Sequence, residues 1–205
     1  EPLGHTPLLI HWPGQPGGQT CDALTTNVDL FATIADAYGA TVDHRTHGTS
    51  LVPLLTGDTT SVRDWAIGGV YGNWVQITDG VRKYARSCSG DNFPLSMWSN
   101  RWSTMPTHVS GYGELPMPDD RAVLDRMPGS TVPVIRQPFQ AGDMLPFWVG
   151  RHNPDNHHLY RLDLDPDEQE NRAGDALERE MTDMLRTALA EIDAPLEQLV
   201  RLGIA

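Results

Sequence analysis

Three histidines that lie close together, His152, His157 and His158, are the first residues whose types suggest chemistry. Neutral imidazole is a common zinc ligand, so three rings in one segment could hold a metal ion. The segment contains no cysteine, and no two of these histidines have the i, i+4 spacing of a helical zinc site. The pattern therefore favours ordinary loop histidines over a metal site.

Alternating aspartates, Asp163, Asp165 and Asp167, superficially suggest a calcium loop. An EF-hand loop needs glycine at its sixth position and glutamate at its twelfth. Those positions hold Glu168 and Gly174 here, so the sequence predicts a solvated acidic turn.

Two cysteines, Cys21 and Cys88, are too few for a disulfide framework. Their spacing does not indicate a bond between them, and each is expected to be a buried or half-buried thiol. A further candidate is the loop stretch Pro106-Thr107-His108, in which a histidine most often hydrogen-bonds to a carbonyl group.

Length and charge limit the classes of function. The chain has 205 residues and a net charge of −12, so a polyanion such as nucleic acid or an anionic membrane is not an expected partner. Its apolar runs fall short of the ~20 residues that a membrane helix needs, which predicts a soluble protein. Localisation is left open.

The first sixty residues read as a strand followed by a helix. The apolar run from Pro7 to Trp12 predicts a buried strand of the parallel type. Thr26 and Asp29 have the spacing of a capping box, apolar residues then recur at helical spacing, and Gly39 ends the helix. Because the strand has no lead-in, we expect the other strands of its sheet to lie upstream and this one to be exposed.

The rest of the chain is predicted to be mostly antiparallel. Short β-rich runs at 65–72, 74–78 and 81–84, with an Asp79-Gly80 turn, indicate hairpins. Long ordered loops are expected over 90–157, and a strand over 159–162. Asp175 caps a predicted amphipathic helix that runs to Ile192, and the tail from Pro195 to Leu202 forms a short helix.

The order of four phrases resembles the C-terminal part of a bacterial sulfatase of the alkaline-phosphatase-like superfamily. These phrases occupy residues 48–57, 75–80, 105–108 and 159–171. The resemblance implies an α/β fold: the C-terminal portion of an alkaline-phosphatase-like sandwich, with a small antiparallel sheet and a C-terminal helix in a subdomain. It places the last βα elements of the catalytic domain at 1–64 and the C-terminal subdomain at 65–205.

The same resemblance implies a sulfuric ester hydrolase that uses a divalent cation, usually calcium, and a formylglycine nucleophile. Neither Cys21 nor Cys88 lies in the Cys-x-Pro-Ser-Arg motif from which formylglycine is made. The nucleophile and the metal ligands are therefore expected upstream of Glu1, with no cofactor bound by this chain and no turnover by this chain alone. Thr107 and His108 are the expected substrate-binding residues, since a donor there would stabilise charge on the sulfate or the leaving oxygen.

The expected substrate is a small-molecule sulfate ester, and a homo-oligomer could form through the exposed first strand. Two alternatives stay open from the sequence. Phosphodiesterases and phosphonate monoester hydrolases of the same superfamily share this C-terminal architecture. The chain could also be a binding or assembly module, with Trp98, Trp102 and Trp148 on a recognition surface.

Overall fold

A computed structural model describes residues 6–100, 118–127, 129–145 and 156–205. Two antiparallel sheets and four helices form this part of the chain. The helices are α1 Asp29–Ala37, α2 Val52–Thr56, α3 Ala176–Glu191 and α4 Leu196–Arg201. The strands are β1 Ala66–Gly69, β2 Val75–Thr78, β3 Arg82–Arg86, β4 Leu95–Ser99, β5 Val123–Arg126, β6 Pro133–Phe139 and β7 His158–Arg161. No helix in these ranges is long and apolar enough to span a membrane.

The larger sheet has the strand order β1-β2-β3-β7, and every neighbouring pair is antiparallel. Asp79 and Gly80 turn the chain between β2 and β3, as the sequence predicts; the Asp79 carboxylate accepts hydrogen bonds from the main-chain N–H groups of Val81 and Arg82. Helix α3 packs on one face of this sheet. The predicted fold class, α/β with a small antiparallel sheet and a C-terminal helix, is confirmed.

The main core lies between α3 and the larger sheet. The apolar stripe predicted for α3 is confirmed, because Met181, Leu185, Ala188 and Leu189 are buried. They pack with side chains from β2, β3 and β7 and from the tail beyond α4: Val75, Ile77, Tyr84, Leu159, Leu202 and Ile204. Burial of these side chains is the main force that holds α3 on the sheet.

A second sheet, with the order β4-β6-β5, occupies part of the segment predicted as long loops, so that prediction is wrong for residues 95–99, 123–126 and 133–139. The sequence did not predict strand β6 because it contains Pro133 and Pro138, and proline within a run argues against a central strand. Strand β5 pairs only with residues 133–136, so at Pro138 the strand has β4 as its one neighbour within the sheet.

The predicted strand over Pro7–Trp12 is also wrong for the described residues, which have no strand there. A strand needs a hydrogen-bonded neighbour, and none of the seven strands pairs with this segment. Its apolar side chains are exposed, Leu9 to 94 %. Cys21 is exposed as well, against expectation, whereas Cys88 is buried as expected, and neither cysteine is in a disulfide.

Helix α1 forms where predicted and ends at Ala37; Gly39 follows it with a φ of +61°, the left-handed conformation that glycine adopts readily. Its orientation differs from that of an ordinary surface helix. The polar residues Asp29 and Thr33 are buried, while the apolar stripe is exposed, with Ile34 at 59 % and Tyr38 at 86 %. We call this stripe, formed by Val28, Leu30, Phe31, Ile34 and Tyr38, the apolar face of α1.

Candidate functional site

The face of the larger sheet that lies opposite α3 is polar. Side chains alternate along a strand, so Val75 and Ile77 of β2 point toward α3 and Gln76 points away. In the same way Tyr84 and Leu159 pack in the core, whereas their strand neighbours belong to the opposite face. Three strands thereby bring together polar and aromatic side chains that are far apart in the sequence.

A cavity of about 350 Å³ opens on this polar face. Strand β3 contributes Ala85 at the centre, where a small side chain leaves room above the sheet. The cavity is lined by Asn73, Trp74, Gln76, Lys83, Ala85, Ser87, Asn156, His158, Tyr160 and Glu168. We call it the sheet cavity. It combines three aromatic rings, three side-chain amides, one hydroxyl from serine, one lysine and one carboxylate.

Lys83 and Glu168 form an ion pair in the sheet cavity. Lys83 is 7 % exposed, and its ammonium group also lies 5.6 Å from the centre of the Tyr160 ring. Glu168 is held by the acidic turn, in which Asp165 accepts hydrogen bonds from the main-chain N–H groups of Gln169 and Glu170 at 3.0 and 2.8 Å. The predicted acidic turn thus positions a carboxylate that offsets the lysine charge.

Asn171 fixes the other end of this turn. Its side-chain oxygen accepts hydrogen bonds from the main-chain N–H groups of Leu159 and Ala173, at 2.9 and 3.0 Å. Its amide nitrogen donates to the main-chain oxygen of His157 at 3.0 Å. Strand β7 and the acidic turn are therefore joined through one side chain.

The two described histidines of the sequence cluster are held by neighbours. His158 Nδ1 lies 3.1 Å from Tyr160 Oη and its Nε2 lies 2.9 Å from Asn156 Nδ2. His157 Nδ1 accepts a hydrogen bond from the main-chain N–H of Ser87 at 3.2 Å. His152 lies outside the described residues. Within the ranges that the structure describes, no group of three or more His, Cys, Asp or Glu side chains is placed to hold a metal ion.

Gln76 carries an unused acceptor into the sheet cavity. Its Oε1 is buried and has no hydrogen-bond partner. A buried carbonyl oxygen without a partner costs free energy, because it has lost its hydration and gained no hydrogen bond. This oxygen therefore lowers the stability of the folded chain, and it is too buried to contact a molecule in the cavity.

Sequence reasoning did not single out the residues of the sheet cavity. Thr107 and His108, the predicted substrate-binding residues, lie outside the described residues. The available signal was the alternation in the runs Val75–Thr78, Arg82–Arg86 and His158–Arg161, which marks one polar and one apolar face. Each run by itself predicts a strand, and it does not show that the three polar faces meet.

Comparison with known proteins gives a match to one family model, over less than half of the chain. Residues 1–86 match the model of a family described as N-sulphoglucosamine sulphohydrolase, C-terminal. No curated protein matches the chain. Among solved structures, a chain designated BT33336S-sulf, from a study of glycosaminoglycan metabolism by Bacteroides thetaiotaomicron, is 17 % identical with a TM-score of 0.40. That match covers 78 % of this chain and 24 % of the other, so this chain spans about a quarter of its length.

Proposed function

We propose, from the match of residues 1–86 to the model of a sulphohydrolase C-terminal family, that this chain is the C-terminal portion of a sulfuric ester hydrolase. The family match is the observation that carries the proposal. It runs through α1 and α2 and ends at Arg86, the last residue of β3. The matched region therefore includes both the helix with the exposed apolar face and two strands of the sheet cavity.

The orientation of α1 supports a role in completing a larger fold. An apolar helix face that remains in water is unfavourable, and contiguous exposed apolar surface marks a contact site. The exposed side chains Leu8, Leu9 and Ile10 add to the apolar surface of the chain. In the proposal, the part of the protein upstream of residue 1 covers the apolar face of α1 as the remainder of the catalytic domain.

The sheet cavity supports a role in shaping the substrate pocket. It offers hydrogen-bonding groups and aromatic surface, which are typical of small-molecule sites. The proposed substrate is a small-molecule sulfate ester, and Thr107 and His108 remain proposed contacts to it.

The catalytic groups expected of such an enzyme are not found at the two cysteines or among the residues that the structure describes. Neither cysteine stands in the formylglycine motif, and the described residues offer no cluster for a divalent cation. We therefore assign no step of catalysis to this chain and place the nucleophile and the metal ligands upstream of Glu1.

Hydrolysis of 4-nitrophenyl sulfate, with 4-nitrophenyl phosphate beside it, tests the proposal. The chain is compared with a form extended upstream to its natural start, both with calcium. Sulfate turnover by the extended protein alone is the expected result. Faster hydrolysis of the phosphate would assign the protein to the phosphodiesterases of the same superfamily. If the extended protein hydrolyses neither ester, an enzymatic role is contradicted.

A further inference from the structure

We infer that the second sheet moves as a separate body, that Glu197 of α4 is the latch that holds it in place, and that its movement reshapes the sheet cavity. We call this body the inserted unit; it consists of β4, β5 and β6 with the described residues around them, 93–100, 118–127 and 129–145. The inference rests on how the unit is joined to the rest of the chain, and it does not depend on the proposed function.

The inserted unit leaves and re-enters the larger sheet at neighbouring points. It lies between β3 and β7 in the sequence, and these two strands are paired, with Ala85 opposite His158. Ser87 follows β3 and His157 precedes β7, and the main-chain N–H of Ser87 donates a hydrogen bond to His157 Nδ1 at 3.2 Å. Because both connections start from one place, the unit can rotate against the larger sheet without breaking a strand pair of either sheet.

The inserted unit has a core of its own. Leu95 and Phe139 are buried, and the side chains packed against them are Phe93, Met97 and Leu145. Among the described residues, this cluster shares no side chain with the core between α3 and the larger sheet. Rotation of the unit therefore leaves the apolar contacts within both clusters intact, so opening costs less free energy than global unfolding.

Glu197 joins α4 to the inserted unit through three side chains. Its carboxylate accepts hydrogen bonds from Ser96 Oγ at 2.8 Å, from Trp98 Nε1 at 3.2 Å and from Arg136 Nη2 at 2.8 Å. Arg136 also donates to Ser96 Oγ at 3.2 Å, and its guanidinium lies 5.2 Å from the centre of the Trp98 ring. Ser96 is buried and the Glu197 side chain is 14 % exposed, so water competes little for these bonds. Hydrogen bonds to a charged group are strong, and these are the bonds that opening must break.

The inserted unit also touches the rest of the chain at the turn between β5 and β6. A β-carbon at Gly129 would lie 2.9 Å from Arg45 Cδ, so the turn rests on the aliphatic part of that side chain. This contact is van der Waals packing, and it opposes opening less than the hydrogen bonds of Glu197 do.

The base of the inserted unit lies at the sheet cavity. Ser87 and Asn156 belong to the two connections, and both line the cavity. Asn92 immediately precedes the unit, and its Nδ2 donates to the main-chain oxygen of Gly72 at 2.7 Å. The next residue, Asn73, also lines the cavity. Movement of the unit therefore displaces residues along one side of the sheet cavity.

Hydrogen exchange of the 205-residue chain, followed at single amides by NMR, tests the latch. Glu197→Ala removes the acceptor of three hydrogen bonds, so the strand amides of β4 and β6 should exchange at least about tenfold faster. The strand amides of β2 and β3 should keep their rates, because the main core stays closed. Glu191→Ala, at an exposed side chain at the end of α3, is the matched control and should change neither sheet.

Arg136→Met tests the same bonds from the side of the inserted unit and leaves α4 unchanged. It removes the cation and keeps an apolar stem, so exchange in β4 and β6 should become about three- to tenfold faster. Arg126→Met, at an exposed position of β5, is its control. Equal acceleration of both sheets by either latch variant would overturn the inference, because the chain would then open as one body. Equal effects of the latch variants and their controls would also overturn it.

The effect on the sheet cavity has its own measurement. The backbone amide signals of Ser87 and Asn156 should shift in Glu197→Ala and stay in place in Glu191→Ala. If the second sheet exchanges faster in Glu197→Ala while both signals are unchanged, movement of the unit does not reach the cavity and that part of the inference is wrong.

Discussion

The carboxylate of Asp29 is fully buried and paired with the guanidinium of Arg63, 34 residues further along the chain. The same carboxylate accepts hydrogen bonds from the main-chain N–H groups of Thr26 at 2.7 Å and Thr49 at 2.8 Å. One side chain therefore joins the start of α1 to the loop before α2 and to the segment that leads into β1. Its hydrogen bonds account for the inverted burial of this helix.

Replacing Asp29 should be among the most destabilising single changes in the chain. Asp29→Ala leaves the Arg63 guanidinium buried without its charge partner, and we expect a loss of about 3–5 kcal/mol in the free energy of unfolding. Asp43→Ala, at a side chain that is 99 % exposed, is the control. Urea denaturation measures both, and equal effects of the two changes would contradict a structural role for the pair.

The double variant Asp29→Ala/Arg63→Met separates the pair from its surroundings. Removing both charges takes away the unpaired guanidinium that the single change leaves behind. The double variant should therefore lose less free energy of unfolding than the two single variants lose in sum. Strict additivity would show that Arg63 and Asp29 do not act as a pair.

Gly48 should not tolerate a side chain. A β-carbon at this position would lie 2.1 Å from the main-chain oxygen of Val28, so the loop or α1 would have to move. We expect Gly48→Ala to lower the free energy of unfolding by about 1–3 kcal/mol. Gly17→Ala is the matched control because no atom lies within 4 Å of its β-carbon position, and its effect should stay within about 0.5 kcal/mol. A thermal or urea unfolding comparison of the two variants decides the matter, and a harmless Gly48→Ala would refute the close contact.

The sequence predicted the elements of the larger sheet better than their surroundings, for a physical reason. Hairpins with an Asp-Gly turn and the helix from Ala176 depend on local patterns, which a single sequence contains. The orientation of α1 depends on the ion pair with Arg63, which is distant in the sequence. The apolar spacing of the helix alone predicts that its apolar face is buried, whereas that face is exposed. The capping box was half right: the Asp29 carboxylate bonds to the Thr26 N–H, but the Thr26 hydroxyl has no partner.

The candidate site was harder to predict than the strands that form it. Gln76, Lys83 and His158 come from three strands, so their proximity depends on the register of β2 with β3 and of β3 with β7. Register follows from tertiary packing and was not assigned from the sequence. The domain boundary between residues 64 and 65 and the roles of Thr107 and His108 stay predictions.

Tyr84 should give the stability a dependence on alkaline pH. Burial raises the pKa of its hydroxyl above the ordinary 10.0, and the hydrogen bond to Glu178 acts in the same direction, although Thr182 and Arg86 oppose it. Because the folded pKa is raised, this contribution to stability is fully present below about pH 10 and is lost as the pH rises through the folded pKa.

Tyrosinate absorbance at 295 nm measures this effect directly. Tyr84→Phe should remove a step that occurs above the ordinary tyrosine pKa, and it should also make the free energy of unfolding less sensitive to pH above 10. Tyr38→Phe, at a tyrosine that is largely exposed, is the control. If both variants lose the same step near pH 10, the hydroxyl of Tyr84 is not shielded from solvent.

The apolar face of α1 should behave differently in the isolated chain and in the protein extended upstream. If the remainder of a catalytic domain covers this face, Phe31→Glu/Ile34→Glu should lower the stability of the extended protein by about 3–6 kcal/mol, since each buried large apolar side chain contributes about 1.5–3 kcal/mol. In the isolated chain the same change places charge on an exposed surface, so it should reduce self-association and leave stability nearly unchanged. Sedimentation velocity and urea unfolding of both forms measure the two effects. Leu164→Glu, on an exposed turn away from α1, is the control, and an extended protein that responds equally to both changes would show that α1 is not covered.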